Sequence, residues 1–196
     1  MRDHSFGENK TTIFDKIIFH FRKNTVLKNT KTLKPKIIID LGCGFNADLI
    51  SFLKKYFSPQ QAIGVDLSIN KTINHIIPIE QNLEDNLKLD DSLADLIICT
   101  AVIEHLNKPL EFLQEVKRVL KPGGLLLITV PTVYAKPILE IMAKLKIIDE
   151  NEIKDHKCYY KKNQMEKILT ESGFELNKIN AYYFGAGLNL CVLCQK

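Results

Sequence analysis

The chain has 196 residues, of which 45% are hydrophobic, and its formal net charge at pH 7 is +4. This size suits one domain with a sizeable core and leaves little room for a second full domain. No apolar run approaches the roughly 18 residues that span a bilayer, and the first ten residues lack the apolar core of a secretory signal. Five irregularly spaced cysteines are too few for a disulfide framework, so we expect a cytoplasmic protein.

The N-terminal part is predicted to be helical. Apolar residues recur at helical spacing over residues 12–28, which indicates an amphipathic helix. We therefore assign residues 1–35 to an N-terminal helical extension and residues 36–196 to the main domain.

The most informative stretch is IIIDLGCG. A run of isoleucines predicts a strand over residues 36–41 that is buried on both faces, as in a parallel sheet. Asp40 lies at its carboxyl end, where open α/β sheets bind ligands. Gly42 and Gly44 then form a tight turn before a helix predicted over residues 46–57.

The glycine loop alone does not identify its ligand, because it also matches the dinucleotide-binding pattern. Asp40 helps to decide, since a carboxylate beside the loop would repel a pyrophosphate. The same carboxylate suits a ligand that carries an ammonium group and a sulfonium, such as S-adenosylmethionine.

Two further strands follow. The second is predicted over residues 62–67 and contains Asp66 near its end, and the third over residues 76–81. Pro78 cannot donate to a sheet ladder, so the third strand should lie at the sheet edge. Only residues 68–75 connect the two strands, which is too short for a full crossover helix.

A fourth strand is predicted over residues 94–99, followed by a helix with Asn107 as its N-cap and Pro109 in its first turn. Residues 122–124 are predicted to turn the chain into a fifth strand over residues 125–130.

The regular alternation then weakens, and residues 132–160 are predicted to form a helical insertion. A last helix over residues 164–172 precedes strands over residues 174–184 and 188–194, which should form an antiparallel hairpin at the other sheet edge. The predicted fold is an α/β, Rossmann-like, doubly wound seven-stranded sheet in a single domain.

Four stretches now carry a family resemblance: IIIDLGCG, GVDLS, NLEDNLKLDDSLADLIICTAVIEHL and RVLKPGGLLLITVP, in this order over residues 36–131. The chain resembles class I S-adenosylmethionine-dependent methyltransferases of the small-molecule type, similar to methyltransferase type 11. The resemblance implies S-adenosylmethionine as cofactor and methyl transfer to a small-molecule acceptor. It leaves open the identity of the acceptor, the methylated atom and the oligomeric state.

The resemblance also implies a set of cofactor-binding residues. Asp40 and the amides of the glycine loop would hold the methionine part, and Asp66 would accept hydrogen bonds from both ribose hydroxyls. Asn82, where the family usually has Asp, would contact adenine beside Leu83, and the residues after the fourth strand would line the path to the sulfonium. The set is Asp40, Gly42, Cys43, Gly44, Asp66, Leu67, Asn82, Leu83, Thr100 and Ala101.

A general base is needed only if the acceptor carries a proton. His105 and His156 are the candidates, because an imidazole titrates near neutral pH. Glu104 is better interpreted as a residue at the start of a helix.

No metal site is expected. Cys191 and Cys194 form a CxxC pattern, but residues three apart in a strand point to opposite faces, so their sulfurs could not share an ion.

Two alternatives stay open. An RNA or other nucleic-acid methyltransferase is compatible with the basic clusters, although the chain lacks an NPPY-type loop and a PC nucleophile, and we do not expect a nucleic-acid partner. An NAD-dependent oxidoreductase is compatible with the glycines, whereas Asp40, the KPGG turn and the terminal hairpin count against it. The clusters are Lys23, Lys28, Lys31, Lys34 and Lys36, and Lys154, Lys157, Lys161 and Lys162.

Overall fold

The computed structural model describes residues 13–145, 153 and 155–196, and side chains from residue 19 onward. Its strands are β1 Ile37–Leu41, β2 Gln61–Asp66, β3 Ile77–Glu80, β4 Ala94–Thr100, β5 Leu120–Pro131, β6 Ile179–Phe184 and β7 Asn189–Gln195. Its α-helices are α1 Ile13–Thr30, α2 Asp48–Phe57, α3 Pro109–Val119, α4 Lys136–Lys144 and α5 Lys162–Glu171. Short 3₁₀ helices lie at Ile103–His105 and Leu176–Lys178.

The seven strands form one sheet in the order β3-β2-β1-β4-β5-β7-β6. Strands β1 to β5 pair in parallel, whereas β7 pairs antiparallel with both β5 and β6. The predicted doubly wound sheet with a C-terminal hairpin is therefore confirmed. Pro78 lies in the edge strand β3, opposite Gly64, as its missing N–H requires.

Two apolar layers cover the two faces of the sheet. Helix α1 contributes the buried Val26 to one layer, and Asn29 of the same helix donates to the Tyr182 hydroxyl of β6 at 2.7 Å. Cys191 belongs to this layer and Cys194 to the opposite one, so the two sulfurs lie on different faces, as the strand geometry predicted. The two layers bury the two faces of the sheet and so hold the ends of its strands in place.

Two local predictions were wrong. The glycines at positions 123 and 124 do not precede the fifth strand but lie inside β5, where the register shifts between Ala94 and Leu96 of β4. Lys108, not Asn107, is the N-cap of α3. Asn107 instead donates to Glu84 through both its backbone N–H, at 2.7 Å, and its side-chain amide, because this contact with the preceding loop competes with the local cap.

The predicted insertion over 132–160 contains α4, while residues 146–152 and 154 lie outside the described residues. The same holds for residues 1–12 of the predicted extension. Within the described part, residues 67–76 connect β2 to β3 through turns, without a helix, as the short spacing predicted. None of the helices described is long and apolar enough to cross a bilayer.

Candidate functional site

A cavity of about 580 Å³ lies at the carboxyl ends of β1, β2 and β4, within the size range of about 300–1,000 Å³ that is usual for small-ligand sites. Parallel strands end at this edge, so side chains that follow different strands converge there. All ten residues predicted to bind the cofactor border this cavity, and so do His105 and His156.

Asp40 is the most unusual group of the cavity. Its side chain is only 1% exposed, and neither carboxylate oxygen has a hydrogen-bond partner among the described residues. Burial, reinforced by the charge of Asp66, raises the pKa of Asp40 from 3.8 to about 7, while the charge of Arg22 and, to a smaller extent, the backbone of Ile50 act in the opposite direction. A buried carboxylate without a donor is costly, so the position is suited to a cationic ligand group.

The glycine loop turns its amides toward the protein rather than toward the cavity. The N–H groups of Gly42 and Cys43 both donate to the carbonyl of Val65, at 2.8 and 3.2 Å, and that of Gly44 donates to Asp66 at 2.7 Å. In this geometry the three amides bond within the protein and the loop shapes the cavity wall; that these residues hold the ligand stays a prediction.

Gly42 also permits a close backbone approach. Its φ is +79°, and a Cβ built on it would lie 2.1 Å from Cγ2 of Val102. Only a residue without a side chain fits between β1 and the segment after β4.

Asp66 is held by two backbone donors at the end of β2. Oδ2 accepts the N–H of Gly44 at 2.7 Å, and Oδ1 accepts the N–H of Leu67 at 2.8 Å. This arrangement orients the carboxylate of Asp66 at the wall of the cavity.

Asn82, after β3, forms a local turn in which its Oδ1 accepts the N–H of Glu84 at 3.0 Å. The amide group of Asn82 is thereby oriented with its oxygen engaged, and Leu83 beside it is buried. Ala101, after β4, has a φ of +55°, and its N–H donates to Thr129. These residues form two further walls of the same cavity.

The opposite side of the cavity carries the two predicted histidines. His105 lies in the 3₁₀ helix that follows β4, and its Nδ1 is 3.0 Å from Oδ2 of Asp155. Nδ1 of His156 is 3.0 Å from the Tyr159 hydroxyl. The two imidazole rings meet edge to face, with centroids 4.7 Å apart.

The cavity has further walls from the N-terminal helix and from the insertion, regions where the sequence carries no motif that marks individual residues. Helix α1 contributes Arg22 next to the exposed Phe21, and α4 contributes apolar side chains although it was predicted only as an insertion. No local motif marks these residues, because their place depends on how the two helices pack over the sheet edge. The apolar residues from the two helices are Phe19, Phe21, Ile138, Leu139 and Met142.

Comparison with known proteins points to one family. A family model described as a methyltransferase domain matches residues 14–179. The chain is 33% identical over 113 residues to a tRNA U34 carboxymethyltransferase of Campylobacter curvus, covering 53% of this chain and 37% of that protein. It is 26% identical over 175 residues to a ubiquinone biosynthesis O-methyltransferase of Glaesserella parasuis, covering 79% and 72%. The chain thus spans between about a third and about seven tenths of the length of these relatives.

Solved structures share the fold. A SAM-dependent methyltransferase from Thermotoga maritima superposes with a TM-score of 0.63 at 17% sequence identity, covering 92% of this chain and 91% of the other. At 17% identity this similarity shows that the two proteins share their fold.

Proposed function

Because the chain belongs to the methyltransferase-domain family of class I enzymes, whose cofactor is S-adenosylmethionine, we propose that it methylates a small-molecule acceptor. The cofactor supplies a methyl group bonded to a positively charged sulfur. The protein has to bind the cofactor, align an acceptor with the methyl carbon and exclude water.

The observation that carries the proposal is the buried carboxylate of Asp40. It borders the cavity with no donor among the described residues, and its ionisation is costly there. The ammonium group of S-adenosylmethionine would donate a hydrogen bond to Asp40 and add a positive charge in direct contact with it. A pyrophosphate at the same position would add a repelling charge, which is why a dinucleotide fits poorly.

Arg22 complements Asp40. Both residues border the cavity, and the charge of Arg22 is close enough to lower the pKa of Asp40. The methionine part of the cofactor carries one ammonium and one carboxylate, so an anion and a cation on the cavity wall match its two charges.

The nucleoside part fits the neighbouring walls. Asp66 is oriented by Gly44 and Leu67 and borders the cavity, where its carboxylate oxygens would accept the two vicinal hydroxyls of ribose. Asn82 has its oxygen engaged with Glu84, so its amide nitrogen is the group that would donate to a ring nitrogen of adenine. Leu83 offers an apolar surface beside the ring.

The acceptor would lie between Thr100, Ala101 and the apolar residues that α1 and α4 contribute to the cavity. The imidazole of His105 or His156 would accept the proton that an acceptor hydroxyl or amine releases.

A small acceptor is supported by the cavity and by one class of relative. The walls of the cavity combine a mostly apolar surface with charged and polar side chains at its edge, and its volume of about 580 Å³ is in the range of small-molecule sites. The similar ubiquinone biosynthesis O-methyltransferase aligns over 79% of this chain, compared with 53% for the tRNA-modifying enzyme. A nucleic-acid acceptor is the alternative.

Two measurements test the proposal. Calorimetric titration with S-adenosylhomocysteine and with NAD should give saturable binding of the first only, and binding of NAD alone would overturn the cofactor assignment.

The second measurement follows the methyl group. Incubation of the protein with methyl-labelled S-adenosylmethionine and a cell extract should place the label in the small-molecule fraction, and the Asp66→Ala variant should transfer less label. Label that is sensitive to ribonuclease would favour the nucleic-acid alternative.

A further inference from the structure

Three side chains with metal-binding atoms converge on one wall of the cavity. They are Glu104, His105 and His156, and one donor atom from each lies within 4.8 Å of the other two. Ligand atoms around a divalent ion are about 3–4 Å apart, given bonds of about 2.0–2.2 Å. Small side-chain rotations would therefore bring these three groups around one ion.

The backbone holds the three residues together. The carbonyl of Glu104 accepts the N–H groups of Lys157 and Cys158, at 2.7 and 3.2 Å. These bonds fasten the segment that carries His156 to the 3₁₀ helix that carries the other two residues. The cluster therefore depends on main-chain hydrogen bonds as well as on side-chain rotamers.

Each imidazole is also oriented by a second group. Nδ1 of His105 is 3.0 Å from Oδ2 of Asp155, and Nδ1 of His156 is 3.0 Å from the hydroxyl of Tyr159. Histidine ligands of metal ions commonly donate one ring N–H to a carboxylate or another acceptor, which leaves the second ring nitrogen as the ligand atom. Both histidines have a partner of this kind at Nδ1.

We propose that Glu104, His105 and His156 bind a divalent transition-metal ion, such as zinc, manganese or cobalt. Two nitrogen donors and one carboxylate suit these ions better than magnesium or calcium, which prefer oxygen ligands. Three protein ligands leave at least one position open, and in this protein that position adjoins the cavity.

The ion would take part in the proposed function. Its binding by the three side chains is independent of that function, whereas the identity of the additional ligand rests on it. That ligand would be a hydroxyl oxygen of the acceptor, whose pKa the ion lowers so that the proton passes to water. The metal-bound oxygen would then be the nucleophile, and the two imidazoles would be ligands rather than proton acceptors. The acceptor class favoured by this site is an alcohol or a phenol.

The test is metal binding by the full chain after removal of metals with a chelator. Titration with Co²⁺ should give one bound ion and the visible absorption of nitrogen and oxygen ligation, without thiolate charge-transfer bands. His105→Ala and His156→Ala should each lower the affinity by at least about tenfold, and Asp155→Asn by about 10- to 100-fold, the usual cost of losing such a supporting contact. Circular dichroism of each variant confirms that it is folded.

His75→Ala is the matched control, since this histidine is exposed and lies away from the cavity lining. Its affinity for Co²⁺ should equal that of the unmodified chain. The proposal is wrong if the unmodified chain binds Co²⁺ no more tightly than His105→Ala, or if thiolate bands show that cysteines hold the ion.

The same samples are titrated with S-adenosylhomocysteine, so that the two proposals can fail separately. Binding of S-adenosylhomocysteine without cobalt overturns only the metal site. Binding of cobalt without S-adenosylhomocysteine overturns the proposed function and leaves the metal site in place.

Discussion

The backbone N–H of Gly44 donates to Oδ2 of Asp66 at 2.7 Å, which joins the loop after β1 to the end of β2. The other oxygen of Asp66 accepts the N–H of Leu67. Asp66 therefore shapes the glycine loop in addition to its proposed contact with ribose, and its removal should affect both.

Replacement of Asp66 by Ala should weaken binding of S-adenosylhomocysteine by about 1–3 kcal/mol, the range for charge-assisted hydrogen bonds. Calorimetry would measure this as a dissociation constant about 5- to 150-fold higher. Asp90→Ala removes an exposed carboxylate away from the cavity and serves as control. An unchanged dissociation constant in folded Asp66→Ala would exclude Asp66 from the site.

Arg22→Ala should weaken S-adenosylhomocysteine binding by about 1–2 kcal/mol, because a charge-assisted contact with the ligand carboxylate is lost. The affinity for 5′-methylthioadenosine, which lacks the amino-acid part, should stay the same, whereas Asp66→Ala should weaken both ligands. Lys28→Ala, on the same helix but over the ring of Tyr182, is the control. Equal losses for both ligands in Arg22→Ala would contradict the assignment.

The raised pKa of Asp40 makes cofactor binding depend on pH. The carboxyl is half-ionised at about pH 7 in the ligand-free protein, and the ammonium group of the ligand binds the ionised form. The affinity for S-adenosylhomocysteine should therefore increase from about pH 6 to about pH 8 and then level off. Asp40→Asn should bind weakly and without this dependence. A profile that is flat in both proteins would count against a role for Asp40.

The same group should limit the stability of the ligand-free protein. The folded pKa of about 7 lies above the value of 3.8 for an unperturbed Asp, so stability is lost as pH rises between these values. The full loss is at most about 4 kcal/mol, at about 1.4 kcal/mol for each pH unit. Asp40→Asn should raise the free energy of unfolding by about 1–3 kcal/mol near pH 8. The gain is smaller than the full loss because the asparagine amide also loses its hydration on burial.

Urea denaturation at about pH 5 and about pH 8 would measure this gain, which should be larger at the higher pH. Asp90→Asn, which changes an exposed residue, should show no such difference between the two pH values. An Asp40→Asn variant that is less stable than the unmodified chain at about pH 8 would contradict the prediction.

Gly42→Ala should destabilise the protein by about 2–4 kcal/mol through two effects. The positive φ costs about 1–2 kcal/mol for a residue with a Cβ, and the clash with Val102 adds overpacking. Gly123 has the same φ of +79°, but a Cβ at this position would meet no atom within 4 Å, so Gly123→Ala measures the backbone cost alone. In urea denaturation, Val102→Ala should reduce the additional cost of Gly42→Ala, and additive effects would contradict the clash.

The strands and the two acidic residues could be predicted because their signals are local. A run of isoleucines ending in Asp40 indicates a buried parallel strand, and Pro78 excludes β3 from the sheet interior. The spacing of the motifs then places Asp40 and Asp66 at the same edge of the sheet, where the structure has them.

The remaining features depend on contacts that are distant in sequence. Asn107 does not cap α3 because Glu84, 23 residues earlier, binds it. The loop amides do not face the cavity because Val65 of the neighbouring strand accepts two of them. Arg22 reaches the site only through the packing of α1, which no pattern within the helix reveals.

The antiparallel strand β7 lies between β5 and β6, although β6 comes earlier in the chain. During synthesis on the ribosome, β6 therefore emerges before β7, the strand with which it pairs in the described part of the chain. Strand β6 cannot pair until β7 has been synthesised, so this edge of the sheet must form late. Either β6 and β7 form a hairpin that then pairs with β5, or β7 pairs with β5 first and β6 follows. Until then the exposed backbone of β5 is open to pairing with other chains, and a chaperone that shields it would raise the yield of folded protein.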